Sequence, residues 1–183
     1  QHAAEDPRMH CLHRPGKLGL GTATIAGLRW GIEHAYRYVV NMDADFSHPP
    51  RYLPDLVAGM DRVGGPAVDV MIGSRYVPGG GAEGRSLLRH LLSRAVNLYA
   101  RWMLGLSPRD CSGSYRCHRT EFLARVDFDA VRSRGYSFEE EILWHFKRAG
   151  AKFGETPIVF VDRRHGSSKF HGREALVSLG VIL

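Results

Sequence analysis

A length of 183 residues, 44% of them hydrophobic and 24% charged, is enough for one globular domain with a sizeable core and excludes a disordered chain. No apolar run reaches the roughly 18 residues that a membrane-spanning helix needs, and no leader peptide opens the sequence. The formal charge of +6 is either a generic basic surface or a match to an anionic partner, such as a phosphorylated substrate, a membrane surface or nucleic acid.

Strand-like and helix-like segments alternate from the start. MHCLH, residues 9–13, reads as a strand entering the loop RPGKLGLG. Residues 22–36 read as a helix with Ile25, Leu28, Ile32 and Ala35 on one stripe. Residues 38–42 are a strand, and Pro49 or Pro50 starts a helix with Leu53, Leu56, Val57 and Met60 on its core face. Residues 68–72 form the next strand, followed by the glycine-rich loop YVPGGGAEG. The longest helix, 86–104, carries Leu88, Leu91, Leu92, Ala95, Tyr99 and Trp102 on one side. A strand over 113–118, a helix over 138–147, a strand over 152–161 and a helix from 173 to the end complete the pattern. The alternation predicts an α/β sandwich with a largely parallel sheet. Cys11, Cys111 and Cys117 are odd in number and lack CxxC spacing, which points to a reducing compartment and not to a disulfide framework.

Candidate chemistry concentrates in VVNMDADFSHPP, residues 39–50. In an extended chain, residues two apart point the same way, so Asp43 and Asp45 are expected on one face. They repel unless a cation lies beside them, and a hard divalent cation that also binds phosphate oxygens suits the pair. The plainer reading makes one aspartate a turn cap and leaves the other solvated. Ligands of open α/β sheets bind outside the carboxyl ends of the strands. Asp43, Asp45, Arg75 and the loop after residue 13 all fall at such ends.

RPGKLGLGTA, residues 14–23, is either an anion cradle or a simple strand-to-helix turn. It matches neither a Walker loop nor a dinucleotide fingerprint. GSRYVPGGG, residues 73–81, sets Arg75 beside three consecutive glycines, which suit a mobile lid or a surface loop. Arg85, Arg89 and Ser93 recur every four residues on the long helix and share a face, where they either grip a phosphate or are solvated. Asp110 in RDCSGSYR is either a third carboxylate of the site or a turn cap. Glu139, Glu140 and Glu141 stand at a helix start, where acids favour the dipole. FVDRRHGSSKF, residues 160–170, is a second cationic loop, with Arg163, Arg164, His165 and Lys169 around Gly166.

Taken in order, RPGKLGLGTA, MDADFSH, GSRYVPGG, LLRHLLSRAVN, DCSGSYR, GYSFEEE and FVDRRHGSSK resemble the polyprenol (dolichol) phosphate mannosyltransferases of glycosyltransferase family 2. The resemblance covers residues 12 to about 170. It implies a GT-A (Rossmann-like) three-layer sandwich with a mainly parallel sheet over residues 1–170, then a membrane-proximal amphipathic helix over 171–183. It implies inverting transfer of mannose from GDP-mannose to a polyprenyl or dolichyl phosphate, giving a β-linked product at the cytoplasmic face of a membrane. That membrane is the plasma membrane in a prokaryote and the endoplasmic reticulum in a eukaryote.

By the same resemblance, Asp43 and Asp45 bind Mg2+ or Mn2+ and the donor diphosphate, with Asp45 the more direct metal ligand. Lys17, Gly19, Gly21 and Arg163 join them on the donor. Arg75, Arg89 and Ser93 hold the acceptor phosphate, Asp110 is the acid near the acceptor side, and Asp45, Arg75, Arg163 and Lys169 form the catalytic set. The PTYNE-like and DDxSxDGT-like segments with which family members begin are not found, so the domain reads as lacking its N-terminal strands. Glu139 stands where the family more often has glutamine. A polyprenyl-phosphate glucosyltransferase or another family 2 transferase is the alternative within the enzyme class. A non-catalytic lipid-phosphate or partner-binding subunit is the alternative outside it. No nucleic-acid module is present in the pattern.

Overall fold

The computed structural model describes residues 5–61, 67–84, 87–133, 135 and 137–162, with the backbone alone at Arg89. Helix α1 (Leu20–Glu33) begins behind Gly19, whose φ of 99° suits glycine alone. It closes in a Schellman turn. Ala35 takes the left-handed conformation (φ 55°), its N–H bonds Ile32 O at 3.0 Å, and Tyr36 N–H bonds Gly31 O at 3.2 Å. That turn delivers the chain into strand β1 (Tyr38–Asn41). A short helix, α2 (Leu53–Ala58), follows a 3-10 turn started by Pro50. Strand β2 (Val70–Ser74) is buried at all five positions. Then come β3 (Gly81–Glu83), the long helix α3 (Leu87–Leu104), β4 (Arg116–Arg119), α4 (Thr120–Leu123), α5 (Phe138–Arg148), β5 (Phe153–Pro157) and β6 (Val159–Val161).

The main sheet runs β1-β4-β2-β5. β2 and β5 are parallel, whereas β4 lies antiparallel to both β1 and β2. The sheet is therefore mixed: β1, β2 and β5 share one direction and β4 is threaded between two of them in reverse. Alternation along β2 feeds two cores. Val70 and Ile72 pack with Leu28, Phe122, Phe138 and Phe146 beneath α1, α4 and α5. Met71 joins Leu56, Met60, Tyr115 and Ile158 beneath α2. Helices thus cover both faces, giving the three layers expected of an α/β sandwich.

Four expectations change. Residues 9–13 form no strand; Met9 and Leu12 are about half exposed, and the segment has no ladder partner among the described residues. The segment 152–161 is two strands: β5 ends at Pro157, paired with Ser74, and after Ile158, whose N–H bonds Ser74 O at 3.1 Å, the chain leaves β2 and pairs with β3 as β6. The glycine-rich loop is ordered: Gly80 N–H bonds Val77 O at 2.9 Å, and Gly81–Glu83 pairs with β6. A Cβ on Gly80 would lie 2.4 Å from Ser74 O, so the tight turn itself requires the glycine.

The fourth change concerns α3. Its leucine-rich stripe does not enter the core. Leu88, Leu91, Leu92 and Trp102 are 67%, 56%, 47% and 76% exposed, while Asn97 and Ala100 are buried at 3% and 2%. The helix docks by its small and polar side. The helix expected from residue 173 onward lies outside the described residues.

Candidate active site

β1 ends at Asn41, so Asp43 and Asp45 stand in the turn beyond it and not on a strand face. Asp45 Oδ1 accepts the Ser47 backbone N–H at 3.0 Å and the Ser47 hydroxyl at 2.5 Å, closing the turn. Asp43 Oδ1 accepts the Ser114 hydroxyl at 3.3 Å, and Asn41 Nδ2 donates to Ser114 O at 3.0 Å, which ties the turn to the segment entering β4. The Asp43 N–H donates to His48 Nδ1 at 2.9 Å, leaving the imidazole proton on Nε2. Burial lowers the His48 pKa against the opposing pull of Asp43 and Asp45, and its ring stacks on Tyr115 at 4.8 Å between centroids. The turn is thus built on a neutral histidine, a residue inside the quoted motif that sequence reading does not single out.

Asp43 and Asp45 close one end of a cleft of about 540 Å³ between α1 and β1, lined by Leu20, Ala23, Thr24, Gly27 and Leu28 opposite Val39, Val40 and Asn41. That volume lies in the range of small-molecule sites. Among the described residues, no three or more His, Cys, Asp or Glu side chains gather to cage a metal. The two carboxylates nevertheless offer the hard oxygen donors that Mg2+ and Mn2+ prefer. An ion held by one or two carboxylates completes its shell with substrate phosphates and water, so the donor set fits such an ion.

At the end of β2, Arg75 is held side-on by Asp110. Nε and Nη2 donate at 2.7 Å each to the two carboxylate oxygens, the Arg75 backbone N–H donates at 3.0 Å, and Nη2 also reaches Ser112 Oγ at 2.8 Å. Both residues are buried. Burial acts to raise the Asp110 pKa, but Arg75 overrides it and holds the carboxyl below its ordinary range. Burial likewise acts to discharge Arg75, and Asp110 overrides it to keep the guanidinium protonated. Asp110 also accepts the Gly113 N–H at 3.1 Å. It is therefore both a turn cap and the counterion of Arg75, and it carries no proton to donate at neutral pH. The Tyr76 and Phe160 rings lie 5.3 and 5.7 Å from the Arg75 guanidinium carbon. Phe160 also meets the His48 ring, at 5.7 Å between centroids, which places Arg75 and the aspartate turn around one aromatic ring.

Ser93 on α3 hydrogen-bonds the Tyr76 hydroxyl at 2.7 Å, so it faces the Arg75 strand end. Behind the site, Arg116 pairs with Glu139 at 2.9 Å and donates to Cys111 O at 2.8 Å. Burial pushes Glu139 and Glu140 each up to about 7, for Glu139 despite the Arg116 guanidinium. Glu139 Oε1 and Glu140 Oε2 are buried with no hydrogen-bond partner among the described residues. Glu141 serves structure instead, accepting the backbone N–H groups of Arg132 and Ser133 at 2.8 and 2.7 Å.

The other expected residues separate. Lys17 is exposed in the loop before α1. Gly19 is the left-handed N-cap of that helix, but Gly21 is a packing glycine: a Cβ there would lie 2.5 Å from the Phe138 ring and 2.8 Å from Ser133 O. Gly21→Ala is expected to cost about 1–3 kcal/mol through overpacking. Gly27→Ala, with open space around it in the same helix, is expected to be neutral or stabilising by about 0.4–1 kcal/mol. Urea denaturation of the two variants checks both values. Arg163 and Lys169 lie outside the described residues, as does the Arg89 side chain.

Helices on both faces of a mixed sheet, with a carboxylate turn at the strand ends, define the class: a GT-A domain. Residues 1–160 match glycosyl transferase family 2, and the chain belongs to that family. It is 45% identical over 170 residues to an undecaprenyl-phosphate mannosyltransferase of Micrococcus luteus, covering 93% of this chain and 68% of that protein. It is 40% identical over 176 residues to a polyprenol monophosphomannose synthase of Mycolicibacterium smegmatis, covering 94% of this chain and 65% of that one. Among solved structures it resembles glucosyl-3-phosphoglycerate synthase from Mycobacterium tuberculosis, in a complex with Mn2+, UDP-glucose and glycerol 3-phosphate. There the TM-score is 0.56 at 19% identity, over 96% of this chain and 57% of that one, which is a likeness of fold. The chain thus spans about two thirds of the curated relatives and just over half of the solved structure.

Proposed function

We propose that the protein transfers mannose from GDP-mannose to a polyprenyl phosphate, with inversion to a β-linked lipid-phosphate mannose, at the cytoplasmic face of a membrane. The observation that carries this reading is a juxtaposition. The aspartate turn and the locked Arg75 share one end of the sheet, and the helix that meets Tyr76, the residue after Arg75, through Ser93 turns its leucines outward. A fixed guanidinium beside an outward apolar helix suits an acceptor with an anionic head and a hydrocarbon tail. The names of the relatives at 40–45% identity support the sugar and the lipid. No helix among the described residues is long and apolar enough to cross a membrane. The outward leucines of α3 suit a surface laid against lipid instead.

The chemistry follows from charge. A lipid phosphate is already ionised at neutral pH, so its oxygen can attack the anomeric carbon without a general base. The carbon–oxygen bond to the donor diphosphate breaks as the new carbon–oxygen bond forms on the opposite face, and GDP departs. What must be offset is the repulsion between two anionic phosphate groups. Arg75 supplies a cation that cannot discharge, and Arg89 and Ser93 complete the acceptor side. Asp43 and Asp45 would hold Mg2+ or Mn2+, which supplies electrostatic stabilisation to the leaving diphosphate. Lys17, Gly19, Arg163 and Lys169 are assigned to the donor phosphates in this reading.

The test is transfer of labelled mannose from GDP-mannose to a polyprenyl phosphate by the full-length protein with Mg2+ or Mn2+. A mannosylated lipid phosphate, labile to mild acid, is the expected product. Transfer from UDP-glucose in place of GDP-mannose would replace the donor assignment, and label appearing only on a soluble acceptor would overturn the lipid assignment.

A further inference from the structure

We propose that Asn97 is a positioning residue for this transfer, a latch that holds Arg75 and helix α3 in one fixed relation so that the acceptor phosphate meets a preset cation. The role of that cation rests on the acceptor assignment above. Asn97 is 3% exposed and lies on the buried side of α3, four residues after Ser93. Its Oδ1 accepts the backbone N–H groups of Cys111 at 2.7 Å and Ser112 at 3.2 Å. Its Nδ2 donates to Ser93 O at 2.8 Å and to Ser112 Oγ at 3.0 Å. Two donors and two acceptor lone pairs are the full capacity of a primary amide, and all are used.

Each partner leads to Arg75. Ser112 Oγ accepts from Arg75 Nη2 at 2.8 Å, so the hydroxyl sits between the amide and the guanidinium. Cys111 directly follows Asp110, the residue that grips Nε and Nη2. Ser93, whose carbonyl takes the fourth bond, hydrogen-bonds Tyr76, the residue after Arg75. The Asp110 turn is further held from the sheet, where Glu155 accepts the N–H groups of Arg109 at 2.9 Å and Asp110 at 3.1 Å. Glu155 thus fixes the turn to β5, and Asn97 fixes it to α3. Only an amide of this length serves, because aspartate keeps the acceptors and loses both donors, while alanine orphans two N–H groups.

The experiment uses Asn97→Asp, Ser112→Ala and the double variant in the full-length protein. Initial rates are measured against varied polyprenyl phosphate and varied GDP-mannose. Asn97→Asp loses both bonds donated by Nδ2, and Ser112→Ala loses those its hydroxyl accepts from Asn97 and Arg75; each single variant is expected to raise the acceptor KM about tenfold, with the donor KM unchanged. The double variant is expected to fall well short of the product of the two, because the residues act as one device. Equal rises in both KM values, or no rise in either, would overturn the latch.

A second readout needs no substrate. The Arg75 Nε–H, buried against Asp110, is expected to exchange with solvent at least about tenfold faster in Asn97→Asp, followed by NMR of the arginine side chains. Unchanged exchange overturns the latch whatever the enzyme transfers. Faster exchange in a protein that does not use polyprenyl phosphate would sink the functional reading and leave the latch standing.

Discussion

Asp45→Asn in the full-length protein is expected to lower turnover by about 10²–10³-fold, with little change in the unfolding midpoint. The amide is chosen because Asp45 does two things at once. Its Oδ1 accepts the Ser47 N–H and hydroxyl, which shape the turn. Its charge is the part assigned to the metal and the donor diphosphate. Asparagine keeps an oxygen for Ser47 and removes the charge, so a loss of rate without a loss of stability isolates the electrostatic role. Asp45→Ala removes both and is expected to lose stability as well, by about 1 kcal/mol. The measurement is labelled mannose transfer across a range of Mn2+ concentrations. The apparent metal requirement should move upward in Asp45→Asn, and a variant with normal turnover and normal metal dependence would remove Asp45 from the assignment.

The second large effect concerns Asp110. Asp110→Ala leaves Arg75 charged, buried and without its partner, and is expected to cost about 3–5 kcal/mol, read from urea denaturation. Combining Arg75→Met with Asp110→Asn removes both charges while leaving one amide oxygen, enough for one of the two backbone N–H groups, of residue 75 and Gly113, that the carboxylate accepts on separate oxygens. Much of the lost stability should return, because the desolvation cost of the pair disappears along with its attraction. Transfer should not return, since the fixed cation is gone. A double variant as unstable as Asp110→Ala would show that the pair holds the fold by more than charge.

The pH dependence of this pair has a definite sign. The folded carboxyl lies below its ordinary value of 3.8, so its contribution is fully present above that value and is lost as pH falls through the lower folded one. Glu139 and Glu140 run the other way. Burial raises them from 4.5 to about 7, so they favour the folded state least once pH has risen through that range.

The alternation of segments was enough to foresee three layers and the loops that carry charge, because strands and helices differ in hydrophobic period. A strand was foreseen over residues 113–118, where β4 runs, but neither its reversed direction nor its burial was. Its sequence, RCHR, reads as polar, yet Arg116, Cys117 and His118 are all buried in the middle of the sheet. Arg116 is carried there by Glu139 and the Cys111 carbonyl, and His118 by a ring contact with Phe146 while burial drops its pKa to about 3. Partners distant in sequence decide such positions, and no local pattern records them.

The aspartate pair was legible as a motif, but its setting in a turn braced by His48 was not. Asp110 was left open between cap and site carboxylate, and the three-dimensional arrangement makes it a turn cap and the counterion of Arg75. Asn97 had no signal at all: a single amide in an amphipathic helix gives no hint that four hydrogen bonds converge on it.

Helix α3 has a consequence for how this chain tolerates change. In an ordinary surface helix the leucines are the residues that cannot be replaced, and the serines and asparagines are free to vary. Here the hydropathy of a position predicts the reverse. The outward leucines contribute little to the cohesion of the folded domain, whereas Asn97 and Ala100 seat the helix against it. Under the lipid contact proposed for α3, drift toward polarity along the leucine stripe would leave a well-folded protein with a weakened hold on lipid, a failure visible only when the membrane is part of the measurement.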